Sequence, residues 1–520
     1  MKVDVNWREK HDIVCAENAL LHEEIDKLQR HIEVLAERIR LGAAQRFGAS
    51  GEQSQALLGG EQLQLFSEEI TEIEPEPPKE KKHHPKSKGK RELDFDKLPR
   101  EQNVYELPEA ERVCPCCNGP MHACGRSVAR REIEFRPAKY VGVEHVETLY
   151  SCRVCEHEND HVPLLKSPLP APVIPGSGIS SASLIAHILN CKYVLGLPLH
   201  RQEQEFERLG IPISRQTMTN WVIKASELYF APLSKLLREE LLRNEILHAD
   251  ETTMQVLRED GRQAKDKSYV WLYRTSGDTR RSVVLYDYQP SRAAACAAHF
   301  LQGYRGFLHT DGYEAYHSKD IPGSIAVVGC WAHTRRKFTD ALKALSADVR
   351  GKTPAVKGLA YCDRLFALER SFAKQNLTAQ ERHAERLRQS KPVADSFFAW
   401  AKTEYEALLE LDSCFGKALT YAINQESWLR GVFQDGRLEL SNNRIERSVR
   451  PFAVGRKNWL FCNSPSGAIA TAMVYSVVET AKANGLKPYE YLKFLLENLS
   501  RGVMLVDCLP WGDKAQAMCS

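Results

Sequence analysis

The sequence predicts a multidomain α/β protein in which small N-terminal modules precede a larger domain with a mixed sheet. Three observations support this prediction. A heptad repeat lies within the first 45 residues, two Cys-x-x-Cys pairs fall between residues 112 and 165, and strand-like and helical segments alternate from about residue 241 onward. The 520 residues are enough for roughly three or four domains, and a hydrophobic content of 43% supports a real core.

Composition limits the classes of partner and compartment. The formal net charge is only +3, so any basic surface for nucleic acid has to be local. Fifteen cysteines, mostly isolated, suit a reducing cytoplasm better than a disulfide framework. We find no signal peptide and no apolar run long enough to span a bilayer. We therefore expect a cytoplasmic protein without a membrane partner.

Residues 1–45 are predicted to form a coiled coil for self-association, which makes a homo-oligomer the expected state. The apolar seam alternates spacings of four and three residues through Leu21, Ile25, Leu28, Ile32, Leu35 and Ile39. Asn18 falls on the same seam at an a position, where asparagine fixes register. The alternative is an amphipathic helix that packs on its own protein, but six unbroken seam positions favour the coil.

Residues 46–111 are predicted to be a flexible charged linker. Five glutamates and three prolines lie between residues 68 and 78, and seven Lys or Arg follow between residues 79 and 91. Such blocks are usually solvated and disordered. Contact of the basic half with DNA phosphates is the alternative.

Residues 112–165 are predicted to form a zinc-binding domain. Two Cys-x-x-Cys pairs supply four thiolates, the donor set of a tetrahedral zinc site: Cys114, Cys117, Cys152 and Cys155. The segment 140–146 alternates like a strand, which indicates a small zinc ribbon with a structural metal. Unrelated reduced cysteines are the alternative, and Cys116, His122 and Cys124 are spare candidate ligands.

Residues 166–240 are predicted to form a helical domain that resembles a helix-turn-helix. Helical patterns lie near 180–191, 198–209 and 214–230, with Gly210 ending the second and Ser214 capping the third. Arg215, Gln216 and Asn220 begin the third helix and have side chains able to reach bases or phosphates. A plain helical hairpin that packs on the next domain is an equally good interpretation.

Residues 241–490 carry the alternating strands and helices. Three strands, a helix, a strand, a helix, a strand and a helix follow one another from residue 246, which is the order of an RNase H-like fold. Residues 341–430 are helical and highly charged, so we interpret them as an insertion within this domain. Residues 491–520 are predicted to be a C-terminal tail.

Three isolated acids, Asp250, Asp311 and Glu446, fall at positions that can meet in this topology. Two come from adjacent strands and the third from a later helix. Carboxylates that converge repel one another unless cations neutralise them, and oxygen ligands favour Mg²⁺ or Mn²⁺. Two such ions can activate a nucleophile and stabilise a leaving oxygen in phosphoryl transfer. Glu251 is expected to point to the opposite face of its strand.

Each acid also has a structural alternative. Asp250 could serve as a cap or in a turn, and Asp311 before Gly312 is a common turn pair. Asn443 and Glu446 have the spacing of a capping box. The presence of all three acids at their expected places favours the metal site.

Cationic residues surround the third acid and are candidates to hold the DNA backbone. They lie on both sides of Pro451, which is predicted to end the local helix. The set comprises Arg444, Arg447, Arg450, Arg456 and Lys457.

The chain resembles the insertion sequence 66 family of bacterial transposases over nearly its whole length. The resemblance includes the leading coil and the cysteine module, and it continues through segments 197–202, 248–252, 310–313, 330–338, 442–451 and 455–461. By this resemblance Asp250, Asp311 and Glu446 are the DDE triad. Cys330 and His333 match a C-x-x-H motif found in several DDE groups, with a buried cysteine and a helix-start histidine as the alternative.

The resemblance implies a nucleoid-associated enzyme that cleaves DNA at the terminal inverted repeats of an insertion sequence and joins it to target DNA. It also implies two small accessory proteins of the same element as partners. Two other interpretations stay open. One is an RNase H-like nuclease without strand transfer, and the other is an inactive DNA-binding regulator.

Overall fold

The computed structural model describes residues 7–47, 140–146, 149–151, 164–166 and 171–520. The predicted linker beyond Phe47 lies outside these ranges, as do the four predicted zinc ligands, Cys114, Cys117, Cys152 and Cys155. Across the described ranges, every helix is too short or too polar to cross a membrane.

The predicted zinc-binding region contributes one short antiparallel ribbon, in which Leu149–Ser151 pairs with Leu164–Lys166. The strand predicted at 140–146 is wrong, because this segment has no regular secondary structure. Side chains at both odd-numbered and even-numbered positions are exposed there, including Val141 at 77% and Val146 at 81%. A strand needs one buried face to fix its register, and this segment has none.

The N-terminal helix α1 (Trp7–Phe47) covers the predicted coil. One of its faces contacts the rest of the chain, where Val34 is buried. The carboxylate of Glu37 accepts a hydrogen bond of 2.9 Å from the backbone N–H of Cys414. Self-association of α1 stays a prediction at this point.

Four helices precede the sheet: α2 (Ala182–Tyr193), α3 (Leu199–Arg208), α4 (Arg215–Ala225) and α5 (Ala231–Leu242). A turn with Gly210 at φ +71° separates α3 from α4. Ser214 caps α4 as predicted, because its hydroxyl oxygen accepts the N–H of Thr217 at 3.2 Å. A π-helical turn, Ser226–Phe230, then joins α4 to α5.

The central sheet has five strands: β1 (Ile246–Gln255), β2 (Lys267–Thr275), β3 (Val284–Gln289), β4 (Gly306–His309) and β5 (Ile325–Val328). Their order is β3-β2-β1-β4-β5. The first three strands pair antiparallel, whereas β1, β4 and β5 run parallel. This mixed sheet is consistent with the predicted RNase H-like core.

The connections follow the predicted order with one difference. Helix α6 (Ala294–Phe300) links β3 to β4, and α7 (Trp331–Lys343) follows β5. The helix expected between β4 and β5 is only a 3-10 turn, Glu314–His317. Its Tyr316 is buried and donates a hydrogen bond of 2.8 Å to Glu251, so a tertiary contact holds the segment on the end of the sheet.

The C-terminal part of the chain adds four helices: α14 (Asn443–Trp459), α15 (Pro465–Ala483), α16 (Pro488–Leu499) and α17 (Asp513–Cys519). Helix α15 covers the edge strand β3. Its Thr480 and Ser476 accept the backbone N–H groups of Val284 at 3.0 Å and Tyr286 at 2.8 Å. An edge strand whose free donors are bonded in this way is closed to further pairing.

One apolar core joins regions that the sequence treats separately. Buried residues of α2–α5, of the sheet and of the last three helices form a single cluster. Segment 491–520, predicted as a tail, takes part in it through Leu492, Leu495 and Cys519.

The insertion has a second core of its own. Its helices are α8 (Ala347–Arg350), α9 (Pro354–Lys374), α10 (Ala379–Glu385), α11 (Lys391–Ala407), α12 (Cys414–Asn424) and α13 (Glu426–Leu429). Phe338 of α7 packs edge-on against Phe397 and near Trp400. The predicted helical insertion therefore folds as a separate layer on α7.

Arg386 ties this insertion to the segment that leads into α14. It is 1% exposed and binds both oxygens of Glu369, at 2.6 and 2.8 Å. It also donates to the carbonyls of Val432, Asp435 and Leu438. A buried guanidinium with all of these acceptors holds residues 432–438 in place.

We expect Arg386→Met to lower the free energy of unfolding by about 3 kcal/mol, because it leaves the Glu369 carboxylate without its ion partner. Denaturant unfolding of the full chain, followed by tryptophan fluorescence, measures this loss. The matched control is Arg386→Met combined with Glu369→Leu, which should regain part of the stability. Equal stabilities of the native chain and the single variant would contradict the prediction.

Candidate active site

Parallel pairing of β1 and β4 brings two aspartates close together on neighbouring strands. His248 and His309 lie opposite each other on the two strands, and their rings stack with centroids 4.6 Å apart. Asp250 and Asp311 each lie two residues beyond their histidine. Because side chains alternate along a strand, each aspartate is expected to share a face with its histidine. The two carboxylates therefore meet.

Three carboxylates form a close group at this point. Ligand oxygens of Asp250, Glu251 and Asp311 all lie within 4.8 Å of one another. The expectation that Glu251 points to the opposite face is therefore wrong. Its side chain is 2% exposed, with one oxygen on Arg292 at 2.5 Å and the other on Tyr316 at 2.8 Å. These two contacts draw the carboxylate toward the aspartates despite strand alternation.

Burial and the neighbouring acids raise the pKa of Asp250 well above its ordinary value. Burial contributes most, followed by the negative charges of Glu251 and Asp311, and Glu446 adds a smaller effect. A hydrogen bond of 2.8 Å from the N–H of Glu251 opposes the shift. The protonated form of Asp250 is therefore favoured by its burial and by the carboxylates beside it.

Asp311 stabilises a turn and also belongs to the acidic group. Its carboxylate accepts the N–H of Tyr313 at 2.9 Å, and Gly312 has φ +89°. A Cβ at Gly312 would lie 2.8 Å from the amide oxygen of Gln425, so only glycine fits. The Tyr421 hydroxyl donates to the carbonyl of Asp311 at 2.7 Å. The insertion thus contacts the loop that carries this acid.

Asn442 positions the helix that carries the third acid. It is fully buried, and its side-chain oxygen lies 2.8 Å from Nδ1 of His248. Its amide nitrogen donates to the carbonyl of Ala249 at 2.9 Å, and its backbone N–H donates to Sγ of Cys330 at 3.1 Å. One side chain thus joins the start of α14 to β1, beside Asp250.

The capping box predicted for Asn443 and Glu446 does not form. Asn442 is the N-cap residue, and no side chain caps the helix. The amide of Asn442 bonds to β1 instead, and the Glu446 carboxylate faces α7. Tertiary contacts have replaced the local hydrogen bonds.

Helix α14 also continues past Pro451 to Trp459, so the predicted end at Pro451 is wrong. A proline removes one intrahelical hydrogen bond, to the carbonyl four residues earlier. Ile445 and Phe452, both 0% exposed, hold the helix in the core on either side of it. Packing of the apolar face outweighs the missing bond.

Glu446 is not one of the three acids whose oxygens lie within 4.8 Å of one another. Its Oε1 lies 3.7 Å from Nε2 of His333, and its Oε2 lies 3.6 Å from Nη2 of Arg336. Oε1 is buried and has no hydrogen-bond partner among the described residues. The negative charge of Glu446 adds a small upward contribution to the pKa of Asp250.

Cys330 and His333 lie between the second and third acids in sequence, and His333 lies 3.7 Å from Glu446. Cys330 precedes α7 and is buried, which raises the pKa of its thiol to about 11. Burial lowers the pKa of His333, while the charges of Glu446 and Asp311 oppose this shift. This arrangement fits a buried cysteine and a helix-start histidine, with the histidine facing two of the acids.

The five predicted DNA-binding cations of α14 divide into two groups. Arg444 binds Glu439 at 2.6 Å, and Arg456 binds Thr253 at 2.8 Å, so both have structural partners. Arg447, Arg450 and Lys457 are exposed and have no ion pair to any described residue. Their spacing places them along one face of the helix, over about 15 Å.

The predicted DNA-binding residues of α4 lie on its exposed side. The Arg215 side chain is 70% exposed and its Nε lies 4.0 Å from Glu203. Gln216 donates to Asn220 at 3.0 Å. The opposite face is buried through Met218, Trp221, Val222 and Ala225. The geometry is compatible with both the helix-turn-helix and the plain hairpin.

Sequence reasoning missed the residues that support the acids. His248, His309 and Asn442 are buried polar groups that no composition or periodicity singles out. A usable signal was present nonetheless. The tripeptide His-x-Asp occurs at 248–250, within the first predicted strand, and again at 309–311, at the end of the fourth.

Comparisons with known proteins agree with this geometry. Residues 177–470 match the family model described as "Transposase IS66 family". Residues 111–156 match the zinc-finger binding domain of transposase IS66, and residues 476–511 match the IS66 C-terminal element.

The relatives found among curated proteins are uncharacterized proteins of Sinorhizobium fredii. The protein y4jD is 28% identical over 432 residues, which cover 80% of this chain and 81% of the relative. The protein y4hP is 30% identical over 439 residues, covering 80% and 75%. The protein y4qI is 33% identical over 365 residues, covering 66% and 64%.

No solved structure matches the chain. The first family model alone spans more than half of the 520 residues, with the zinc-finger match before it and the C-terminal match after it. The chain belongs to the IS66 transposase family, with its zinc-finger domain and its C-terminal element.

Proposed function

We propose that this protein is an active DNA transposase that cleaves and joins insertion-sequence ends at Asp250, Asp311 and Glu446. The close approach of Asp250 and Asp311, within 4.8 Å on neighbouring strands, is the observation that carries the proposal. Glu446, from the distant helix α14, faces His333 of α7 and is proposed to complete the site. Family membership supports the same chemistry. The presence of all three acids favours an active enzyme over an inactive DNA-binding regulator.

The donor set fits divalent cations. Asp250 and Asp311 offer carboxylate oxygens within 4.8 Å of each other, and Glu446 has a buried oxygen without a hydrogen-bond partner. Hard oxygen donors of this kind select Mg²⁺ or Mn²⁺. When bound, such ions would polarise the phosphate and stabilise charge on the attacking and leaving oxygens. Glu251 already has an ion partner in Arg292, so we propose it as a support for the site.

The proposed reaction has two phosphoryl transfers. Water attacks a phosphodiester at the element end, a new P–O bond forms, and the bond to the 3′ oxygen breaks to leave a 3′-hydroxyl. That hydroxyl then attacks a target phosphodiester and expels a target 3′ oxygen. No covalent link between protein and DNA is required.

DNA is proposed to lie along the exposed face of α14. Arg447, Arg450 and Lys457 present three cations beside Glu446, and phosphates are the groups that such a row binds. Arg215, Gln216 and Asn220 of α4 are proposed contacts to the terminal repeats. The zinc-binding domain is proposed to strengthen binding of the ends.

We expect Asp250→Asn to abolish both cleavage and strand transfer. Loss of one cation ligand removes several kcal/mol of transition-state stabilisation, equivalent to at least about a hundredfold in rate. Labelled element ends incubated with Mg²⁺ and target DNA measure both steps. Asp320→Asn, at an exposed acid, is the matched control and should keep the native rate. Native rates of joining in the Asp250 variant would contradict the assignment, whereas cleavage without joining by the native chain would indicate a nuclease.

We expect cation binding to be visible as thermal stabilisation, independently of activity. The raised pKa of Asp250 means that the folded chain binds a proton there more tightly than the unfolded chain does. Without divalent cations, stability should therefore fall as pH rises above the ordinary aspartate pKa of 3.8. Bound Mg²⁺ should restore the stability that is lost as pH rises. The stabilisation by Mg²⁺ should be larger at higher pH, because the cation and the proton compete for the Asp250 carboxylate.

Melting temperatures measured between about pH 5 and 8, with and without Mg²⁺, test this dependence. Asp250→Asn should flatten the pH profile of the Mg²⁺-free protein and reduce the shift that Mg²⁺ produces. Asp320→Asn again serves as the control. A Mg²⁺ shift of the same size in both variants would count against a cation at Asp250.

We expect zinc removal to unfold the predicted zinc-binding domain and to weaken binding of element ends, while the catalytic sheet stays folded. Structural zinc contributes its binding energy directly to folding of small domains. Cys114→Ser combined with Cys117→Ser is the variant, and Cys191→Ser, at a cysteine of α2, is the matched control. Zinc content and affinity for labelled ends are the measurements. Undiminished end binding by the zinc-free variant would contradict this role.

A further inference from the structure

The chain makes a sharp and strained turn directly after helix α14. Leu460 has φ +63° and ψ −52°, and the N–H of Phe461 donates to the carbonyl of Trp459 at 2.8 Å. A three-residue turn closed by this bond, with a positive φ at its centre, is the strained form of the γ-turn. Among the described residues other than glycine, only Asn376 also has a positive φ, and asparagine tolerates this region better than leucine.

Hydrogen bonds on both sides fix this turn. Before it, the N–H of Leu460 donates to the carbonyl of Arg456 at 2.7 Å. After it, the N–H of Cys462 donates to the carbonyl of Gln255, the last residue of β1, at 2.9 Å. The N–H of Leu257 donates back to the carbonyl of Cys462 at 3.0 Å. Strained conformations persist only where the surrounding structure determines them, and they cluster at functional sites.

The turn presents two apolar side chains to solvent, and we name residues 460–461 the apolar tip. Leu460 is 62% exposed and Phe461 is 44% exposed. Neither residue belongs to the two apolar cores, although the neighbouring Trp459 packs against the first of them. Packing within the chain therefore does not explain why this strained turn carries a leucine and a phenylalanine.

Exposed cations lie on both sides of the apolar tip. Arg447, Arg450 and Lys457 lie along one face of α14, and Lys457 is three residues before the tip. Arg258 is also exposed, and its N–H donates to the carbonyl of Asn463 at 3.1 Å, just beyond the tip. Cations bind the phosphates of DNA, and apolar side chains enter between its bases where the stack opens. The combination therefore fits DNA with an opened base step.

The apolar tip lies within reach of DNA bound at the candidate active site. Asp250 and Gln255 both lie in β1, five positions apart, and the carbonyl of Gln255 bonds to Cys462. At about 3.3 Å per strand residue, the tip is roughly 16 Å from Asp250. This length corresponds to about five nucleotides, at about 3.4 Å each.

We propose that Leu460 and Phe461 form a wedge that enters the base stack of bound DNA, about five nucleotides from the phosphate held at Asp250. The Phe461 ring stacks on an unstacked base, Leu460 fills the opened step, and the cations of α14 bind the adjoining phosphates. The rigid turn holds the tip in its bound shape before DNA arrives, so little order is lost on binding. The proposal rests on the proposed DNA-binding face of α14 and assigns recognition of distorted DNA to two apolar residues.

A binding assay without added divalent cations tests the wedge independently of catalysis. The probes are a fluorescent duplex and the same duplex with two adjacent mismatched pairs at its centre. We expect the native chain to bind the mismatched duplex at least about fivefold more tightly, because its bases are already unstacked. Phe461→Ser should bind both duplexes equally. Leu409→Ser, at an 89% exposed leucine of the insertion, is the matched control and should keep the preference.

Two results of this assay would overturn the wedge. One is an equal affinity of the native chain for both duplexes, and the other is a native preference in Phe461→Ser. Either result would leave the proposed catalytic role of the acids in place. Lys457→Ala should weaken binding of both duplexes by the same factor, because it removes a phosphate contact. Native affinity of this variant for both duplexes would mean that phosphates do not lie on this face, and the wedge would fail with it.

Cleavage of element ends supplies the second test. Phe461→Ser should cleave a fully paired end at least about fivefold more slowly than the native chain does. A mismatch about five base pairs from the cleaved bond should restore the rate, whereas a mismatch one helical turn farther away should not. A native rate on the paired end, or a slow rate that neither mismatch changes, would overturn the proposal.

Melting temperature and mass distinguish the wedge from a structural role. Leu460→Gly should melt at or above the native temperature, because glycine adopts a positive φ without steric cost, and it should reduce the preference for mismatched DNA. A lower melting temperature would mean that the Leu460 side chain serves packing and would overturn its role as a wedge. Phe461→Ser should keep the native mass in light scattering. A lower mass would assign the apolar tip to a contact between copies of the chain and would overturn the proposal.

Discussion

The candidate active site depends on the buried amide of Asn442. This one side chain bridges His248 and the carbonyl of Ala249, while its backbone N–H reaches Cys330. It thereby connects strand β1, the start of α7 and the start of α14, which are separated by up to 194 residues in sequence. The distance between Glu446 and the aspartates follows from this junction, because Glu446 lies one helical turn beyond it.

The acidic group illustrates how a fold can hold a destabilising arrangement. Three carboxylates within 4.8 Å repel one another, and burial of Asp250 adds to the cost. Arg292 offsets one of the charges through Glu251, and no described residue forms an ion pair with Asp250 or Asp311. A large apolar core under the sheet supplies the stability that makes such a site tolerable.

Much of the sheet and of the candidate site could be predicted from sequence. Strand runs such as β1 have strong local patterns, and their order implies which ends meet. The orientation of Glu251 and the length of α14 could not be predicted, because they depend on tertiary contacts that a local sequence pattern does not show. Glu251 turns toward the aspartates because Arg292 and Tyr316 hold it there, and α14 passes Pro451 because Ile445 and Phe452 anchor it in the core.

The insertion is joined to the site at two separate points. The Tyr421 hydroxyl donates to the carbonyl of Asp311, and Arg386 donates to carbonyls of the segment that leads into α14. The segments that carry Asp311 and lead into α14 are therefore both bonded to a layer that is not part of the sheet. A relative that exchanged this layer for another would have to preserve both attachments at once, which makes the insertion a poor candidate for modular swapping during evolution.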